Sequence, residues 1–273
     1  MMCPDDRDAA PEPGSGADAV PENPANGPSS RFFAAVGIVP GMRVLDIGCG
    51  NGDLSRFVAG LAGPGGEVVA LDRSDDVLAS ARAAKADPRA APIRYRTADL
   101  AGVLPDLGRF DAIVGRRVLM YLPDAAATIA RLSDLARPGS IMAFQEHGRA
   151  GLPAGLGDLP LHGRLYDWMW TTVAAEGGDT GLALRLASLM RAAGHRVETA
   201  RSEGILLEAG EPSFLPTLAR VMLPRMQAHG VATAEDMDPD TLAQRLEAEH
   251  LAAGGTIVWD LAFLVSARIG AGR

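Results

Sequence analysis

Cysteine is almost missing from this 273-residue sequence, with Cys3 and Cys49 its only two. Two cysteines cannot build a disulfide framework, and a reduced, cytoplasmic compartment is the expected setting. Lysine is scarcer, with Lys85 alone among 26 basic residues. The dominance of arginine reads as codon bias from a GC-rich genome, not as a binding signal. Long apolar runs are absent as well. No stretch approaches the ~20 residues that a membrane-spanning helix needs, so no membrane partner is expected. Positive charge is not in excess, because the net charge is −8. That balance argues against nucleic-acid or anionic-membrane binding, and no basic face with interleaved aromatics is visible.

What is present is a 47% hydrophobic chain, long enough to bury a sizeable core. The apolar residues are unevenly spread. Residues 1–30 hold six prolines, three glycines and six acids against the single base Arg7. Such a stretch buries too little to fold alone, and it lacks the basic start and apolar run of a secretory signal. A disordered acidic arm is expected over 1–30, followed by one domain over 31–273. Phe32, Phe33, Val36, Ile38 and Val39 suit a short helix leading to the turn at Pro40-Gly41.

Val44, Leu45 and Ile47 form a β-rich run that breaks at Gly48, Gly50 and Gly52. A helical pattern through Leu54, Phe57, Val58 and Leu61 follows. Strand, glycine turn and helix in succession open a doubly wound α/β unit. Glycines there admit unusual φ values and let a ligand approach the backbone. No Gly-Lys-Ser/Thr follows, which excludes a triphosphate loop. Asp46 stands before the glycines, where a carboxylate repels a pyrophosphate and attracts a cation, directly or through water.

The segment Val44-Leu45-Asp46-Ile47-Gly48-Cys49-Gly50-Asn51-Gly52 resembles the first motif of class I S-adenosylmethionine-dependent methyltransferases. The look is closest to their small-molecule, ubiquinone-biosynthesis-like branch. The resemblance covers roughly residues 31–148 with specific motifs and implies a mostly parallel, seven-stranded, doubly wound sheet of Rossmann-like form. It makes 31–148 the cofactor-binding half and implies S-adenosylmethionine as cofactor, with S-adenosylhomocysteine as product. Asp46, Gly48, Cys49 and Gly50 would then line the cofactor. Asp72, which ends the buried strand pattern at 67–72, suits the ribose hydroxyls, with helix capping as its alternative. Ser74 and Asp75 suit that capping better, and Arg73 would lie beside the adenine. Asp99 would accept the adenine amino group and Leu100 would meet a ring nitrogen; a turn-forming Asp99 stands as the other reading. Residues 110–124 read as a fourth strand, a loop and the entry of a helix, and Gly115, Arg116 and Val118 would flank the methionine end.

The C-terminal half, 149–273, rests on topology alone. Ligands of open parallel sheets sit at the carboxyl ends of the strands, so helical insertions there are expected to cap the substrate. An aromatic cluster at 161–176 supplies Tyr166 and Trp170, and the helical pattern at 213–229 supplies Phe214, Leu215, Met222 and Met226 as an adaptable apolar wall. Ordinary core helices are the alternative for both. Strand patterns at 195–207 and 256–268 flank the insertion. His147, just past the fifth strand pattern at 140–145, is the candidate general base, with Tyr121 and Glu146 as polar neighbours. A rim histidine without catalytic role is the other reading. The histidines show no metal-ligand spacing, so no metal is expected; His162 beside Glu146 and His147 is the one arrangement to check. The expected function is methylation of oxygen or nitrogen on a small molecule, in bacterial secondary metabolism, by a monomer or homodimer. The alternatives are a cofactor binder without methyl transfer, such as a cyclase or regulatory protein, and a nicotinamide-dependent reductase. Asp46 and Asp99 speak against the last.

Overall fold

The computed structural model describes residues 26–270. The elements follow in the order α1 (Asn26–Ala35), β1 (Arg43–Ile47), α2 (Asp53–Ala62), β2 (Glu67–Asp72), α3 (Asp75–Ala83), β3 (Ile93–Thr97), β4 (Phe110–Arg116), α4 (Ala125–Asp134) and β5 (Ala136–Glu146). A 3-10 turn over Leu119–Tyr121 lies between β4 and α4. Then come α5 (Pro160–Ala175), α6 (Leu182–Ala192), β6 (Arg196–Glu208), α7 (Leu215–Ala228), α8 (Ala234–Met237), α9 (Leu242–Ala253) and β7 (Thr256–Arg268). Helix α1 starts at Asn26 and buries Pro28 and Ser29. Residues 26–30 therefore belong to the folded body and not to the arm. The rest of the expected arm lies outside the described residues.

The strands form one sheet in the order β3-β2-β1-β4-β5-β7-β6, all parallel except β7. The order reverses at β1 and β4, the point where open α/β sheets bind their ligands. Strands β1, β2 and β4 read as short apolar runs because helices cover both faces, and Val44, Leu45, Val68, Leu71, Ile113 and Val114 are fully or almost fully buried. Strand β6 alternates buried and open positions over much of its length, as an edge strand should. The long insertion α7–α9 does not disturb the pairing of β6 with β7, which runs antiparallel from Arg196↔Arg268 to Glu208↔Thr256. Among the described residues no helix is long and apolar enough to cross a membrane.

One close approach links this core to the site. Gly115 lies near the end of β4, and a Cβ there would fall 2.9 Å from Ile47, 3.0 Å from Phe144 and 3.0 Å from Val118. The missing side chain lets Val118 fold down over the sheet. Gly115→Ala should therefore overpack this spot at a cost of about 1–3 kcal/mol. Chemical denaturation of both proteins measures it, and an unchanged midpoint would mean that Val118 moves aside freely.

Candidate active site

The glycine turn is shaped by its backbone. Gly48, Gly50 and Gly52 take φ values of 60°, 54° and 80°, the left-handed region that side chains disfavour. At Gly48 a Cβ would stand 2.3 Å from a Val118 methyl, so that residue is packed from above. At Gly50 a Cβ would meet nothing within 4 Å. The turn therefore opens at Gly50, beside the start of α2. Helix α2 has no side-chain cap, which leaves amide donors at its start for a ligand.

Asp72 holds this turn. Its Oδ2 accepts from the Gly50 amide at 2.9 Å and its Oδ1 from the Ser74 amide at 3.0 Å. The expectation of an unengaged carboxylate is corrected: it ties the turn to the end of β2. Each oxygen keeps a second lone pair for a hydroxyl. Ser74 caps α3 through the Val77 amide at 3.3 Å, as the spacing predicts.

Asp46 and Cys49 sit deeper than direct ligand contact requires. Asp46 is fully buried; its Oδ2 accepts from the Ser55 hydroxyl at 2.5 Å, and its Oδ1 has no partner among the described residues. Burial pushes its pKa up to about 7, against the Ser55 hydrogen bond and the charge of Arg116. Cys49 is buried and packs with Ala70 and Leu78, and burial pushes its thiol well above the usual range. Its amide donates to Leu71 O at 2.9 Å and its carbonyl accepts from Gly52 at 2.9 Å, so its backbone shapes the turn from within. An acid with one oxygen unsatisfied, below an open glycine turn and with a second carboxylate at the end of the neighbouring strand, fits a cationic, hydroxyl-bearing cofactor.

The remaining cofactor candidates divide. Asp99 is exposed and its Oδ1 accepts from the Ala101 amide at 2.9 Å, an Asx turn that leaves the other oxygen outward. Leu100 is buried, and its carbonyl accepts from Arg131 at 2.7 Å. Arg73 is exposed and its charge reaches Glu176 at the end of α5. Arg116 donates to Asn26 Oδ1 at 2.9 Å and lies 3.8 Å from Asp53, on the glycine-turn side. Gly115 is enclosed by side chains, so the lining role expected of it passes to Val118.

Beyond β4 the chain folds back over the sheet. Glu146, the last residue of β5, is fully buried; its Oε1 accepts from the Val118 amide at 3.1 Å and the Leu119 amide at 2.8 Å. Burial raises its pKa to about 7. Arg117 is driven to φ 57°, rare for a residue with a side chain, and its amide donates to Gln145 O at 2.8 Å. This segment borders a cavity of about 290 Å³. Its walls include Tyr121, His147, Tyr166, Trp170 and Met222, all expected for catalysis or substrate. Phe214, Leu215 and Met226, expected on the same wall, do not line the cavity; Leu218 and Val221 stand beside Met222 there instead.

His147 is held from both sides. Its Nδ1 lies 2.6 Å from Asp260 Oδ2 and its Nε2 lies 3.2 Å from Gln145 Nε2. The Ser29 hydroxyl donates to Gln145 Oε1, which points the amide group of Gln145 at the histidine. An N–H facing Nε2 makes that nitrogen the acceptor, so the proton sits on Nδ1 facing the carboxylate. His162 does not join them. It pairs with His250 at 3.1 Å, and burial lowers it to about 3. Among the described residues no group of three or more His, Cys, Asp or Glu side chains could hold a metal. Sequence reasoning missed Asp260, Gln145, Arg117 and Arg225. Asp260 had one signal, an acid inside the apolar run Ile257-Val258-Trp259-Asp260-Leu261.

A family model described as "Methyltransferase domain" matches residues 38–184. The trans-aconitate 2-methyltransferase of Methylobacterium radiotolerans is 31% identical over 62% of this chain and 60% of its own length. The ubiquinone biosynthesis O-methyltransferase of Xanthomonas campestris is 35% identical over 41% of this chain and 45% of its own. The chain thus spans about half the length of these curated relatives. Haemonchus contortus phosphoethanolamine N-methyltransferase 2, solved with S-adenosylhomocysteine, shares the fold at a TM-score of 0.53 and 17% identity, over 90% of this chain and 53% of that one.

The buried Glu146 sets a pH dependence. Its folded pKa lies above the ordinary 4.5, at about 7, so the folded protein holds the proton more tightly than the unfolded chain. The stability it contributes is present below about pH 4.5 and is lost as pH rises through 7. Glu146→Gln removes this titration and keeps the Oε1 acceptor. The melting temperature of the variant relative to the parent should rise steadily from pH 5 to pH 8 in calorimetry, and a constant difference would contradict it.

Proposed function

The chain belongs to the methyltransferase-domain family, and on that premise we propose that it moves a methyl group from S-adenosylmethionine to a small-molecule acceptor. One observation carries the reading. An open glycine turn, flanked by Asp46 and Asp72, stands on one side of the segment Arg116–Tyr121, and a mostly apolar cavity stands on the other. Two chambers separated by a single loop suit a two-substrate transfer.

The cofactor, when bound, supplies a methyl group on a positively charged sulfur that leaves as a neutral thioether. The chain's own part is orientation and exclusion of water. Asp72 and the Gly50 turn would hold the ribose, with Asp99 and the backbone at Leu100 at the adenine end. Asp46, buried with one oxygen unpaired, would lie beneath the turn, where its ionised form favours a cationic ligand. Met120, Met169, Val173 and Met222 keep the acceptor chamber apolar.

A base in that chamber favours an oxygen acceptor. A hydroxyl loses its proton as it takes the methyl, and His147 Nε2 is the group placed to receive it, once the acceptor displaces the long contact from Gln145. Asp260 then acts as a positioning residue: it fixes the Nδ1–H tautomer and stabilises the imidazolium that forms. The likeness to a relative named as an O-methyltransferase supports the same choice.

Two measurements test this. Asp72→Ala should weaken S-adenosylhomocysteine binding roughly ten- to a hundred-fold, the worth of a charged hydrogen bond; unaltered affinity in calorimetry would reject the ribose assignment. His147→Ala should lower turnover about a hundred-fold with cofactor affinity held within a few-fold. The parent's rate should depend on pH in a way that the variant's does not. A full parental pH–rate profile in the variant would sink the base assignment.

A further inference from the structure

The acceptor cavity is apolar except at a few points, and the polar groups on its wall are not equally engaged. Arg225 is neutralised by Glu176, whose carboxylate receives both its Nε, at 2.8 Å, and one Nη. Asp260 and His147 are bound to each other. Tyr166 donates to Gly148 O and accepts from the Ala150 amide, each at 3.3 Å. Arg117 differs from all of these. Among the described residues its guanidinium has no hydrogen bond and no ion pair, although it lines the same wall.

A guanidinium in such a place is costly. Burial lowers its pKa to about 10, and the neighbouring Arg116 adds to that. Its five N–H donors lack protein acceptors. The backbone that presents it is itself forced, with φ at 57°. That geometry is held in place by the Gln145 carbonyl and, one and two residues on, by the buried Glu146 carboxylate. Strain of this kind persists where the surroundings over-determine it. Arg116 and Arg117 also part company. The first reaches Asn26 and Asp53 beside the glycine turn, and the second faces the cavity on the other side of the loop. A cofactor anion is thus nearer to Arg116, and Arg117 is left to the acceptor.

We propose that Arg117 is a specificity-determining residue that anchors a carboxylate of the acceptor, so that the substrate class is a small acid with one carboxylate on an apolar or aromatic body. Carboxylate geometry matches the planar fork of arginine. Met120, Met169, Trp170 and Met222 on the same wall offer nothing to a second charge, and Arg225 is already paired with Glu176. A volume of about 290 Å³ suits a single ring with a short side chain. This assignment rests on the methyltransferase reading for its meaning as substrate recognition, while the anion site itself is a property of the cavity.

The test compares 3-phenylpropanoate with 3-phenylpropanamide, an acid and an amide of one shape, by calorimetry on the full chain with and without S-adenosylhomocysteine. The acid should bind at least tenfold more tightly than the amide. Arg117→Gln should bring the two within about twofold, and Arg117→Lys should keep part of the preference. Affinity for S-adenosylhomocysteine should stay unchanged in both variants and the melting temperature should not fall, which shows that they fold. Equal binding of acid and amide by the parent would overturn the proposal, and so would a preference that survives in Arg117→Gln or failure of both probes to bind. A fall in S-adenosylhomocysteine affinity with the acid preference intact would overturn it too, by assigning the guanidinium to the cofactor. Failure of S-adenosylhomocysteine to bind the parent rejects the methyltransferase reading instead, and the acid–amide comparison without it still reads the anion site.

Discussion

The contact on which the site depends is the pair of hydrogen bonds from the Val118 and Leu119 amides to the buried Glu146 carboxylate. Taking an acid out of water is costly, and burial duly weakens its ionisation. What it secures is the path of the chain after β4. The carboxylate receives the first amides of the 3-10 turn, so that Arg117 must turn through a left-handed conformation and Tyr121 comes to the cavity rim. Two glycines make this fold-back sterically feasible. Gly48 and Gly115 leave room on either side of Val118, which would otherwise collide with their side chains.

That single loop divides the two chambers, and the chambers are made differently. The glycine-turn side is local in sequence. Asp46, the glycine turn and Asp72 lie within 27 residues, and short hydrogen bonds such as Gly50 N to Asp72 hold them together. The acceptor side is assembled from α5, α7, β5, β7 and the loop after β4. His147 meets Asp260 across 113 positions and Gln145 meets Ser29 across 116. The first pairing exists because β7 runs antiparallel beside β5, with Glu146 opposite Phe263. The second exists because α1 packs against β7, the neighbour of β5. One result is that the candidate base is oriented from both of its nitrogens.

The buried polar residues of the C-terminal half are structural by the same logic of satisfaction. His162 and His250 face each other between α5 and α9, and burial keeps both low. Glu249 accepts from the Leu161 and His162 amides at 2.6 and 2.8 Å, which caps the start of α5. These bonds lock α9 to α5 and so brace the aromatic wall formed by Tyr166 and Trp170. The bracing is remote from the chemistry, yet it decides the shape of the acceptor chamber.

The sequence by itself determined the cofactor half. A β-rich run, glycines at 48, 50 and 52, and an acid closing the next strand pattern are short-range signals, because the turn's steric demands fall on the residues that form it. The strand at Thr256–Arg268 and the helix near Pro160–Ala175 were legible for the same reason, through period and composition. Tyr121, His147, Tyr166 and Trp170, singled out in the sequence, line one cavity, since all follow or cap the carboxyl ends of the strands. Tertiary structure decided the rest. It replaced Phe214, Leu215 and Met226 on the cavity wall by Leu218 and Val221, beside the expected Met222, because helix phase is set by packing. It also engaged Asp72 with backbone amides, enclosed Asp46 and Cys49, and separated His162 from His147. Above all, it gave His147 its partner Asp260 and left Arg117 without one. No local pattern encodes such pairings, because the energy of a buried charge depends on groups that only the folded sheet brings within hydrogen-bonding distance.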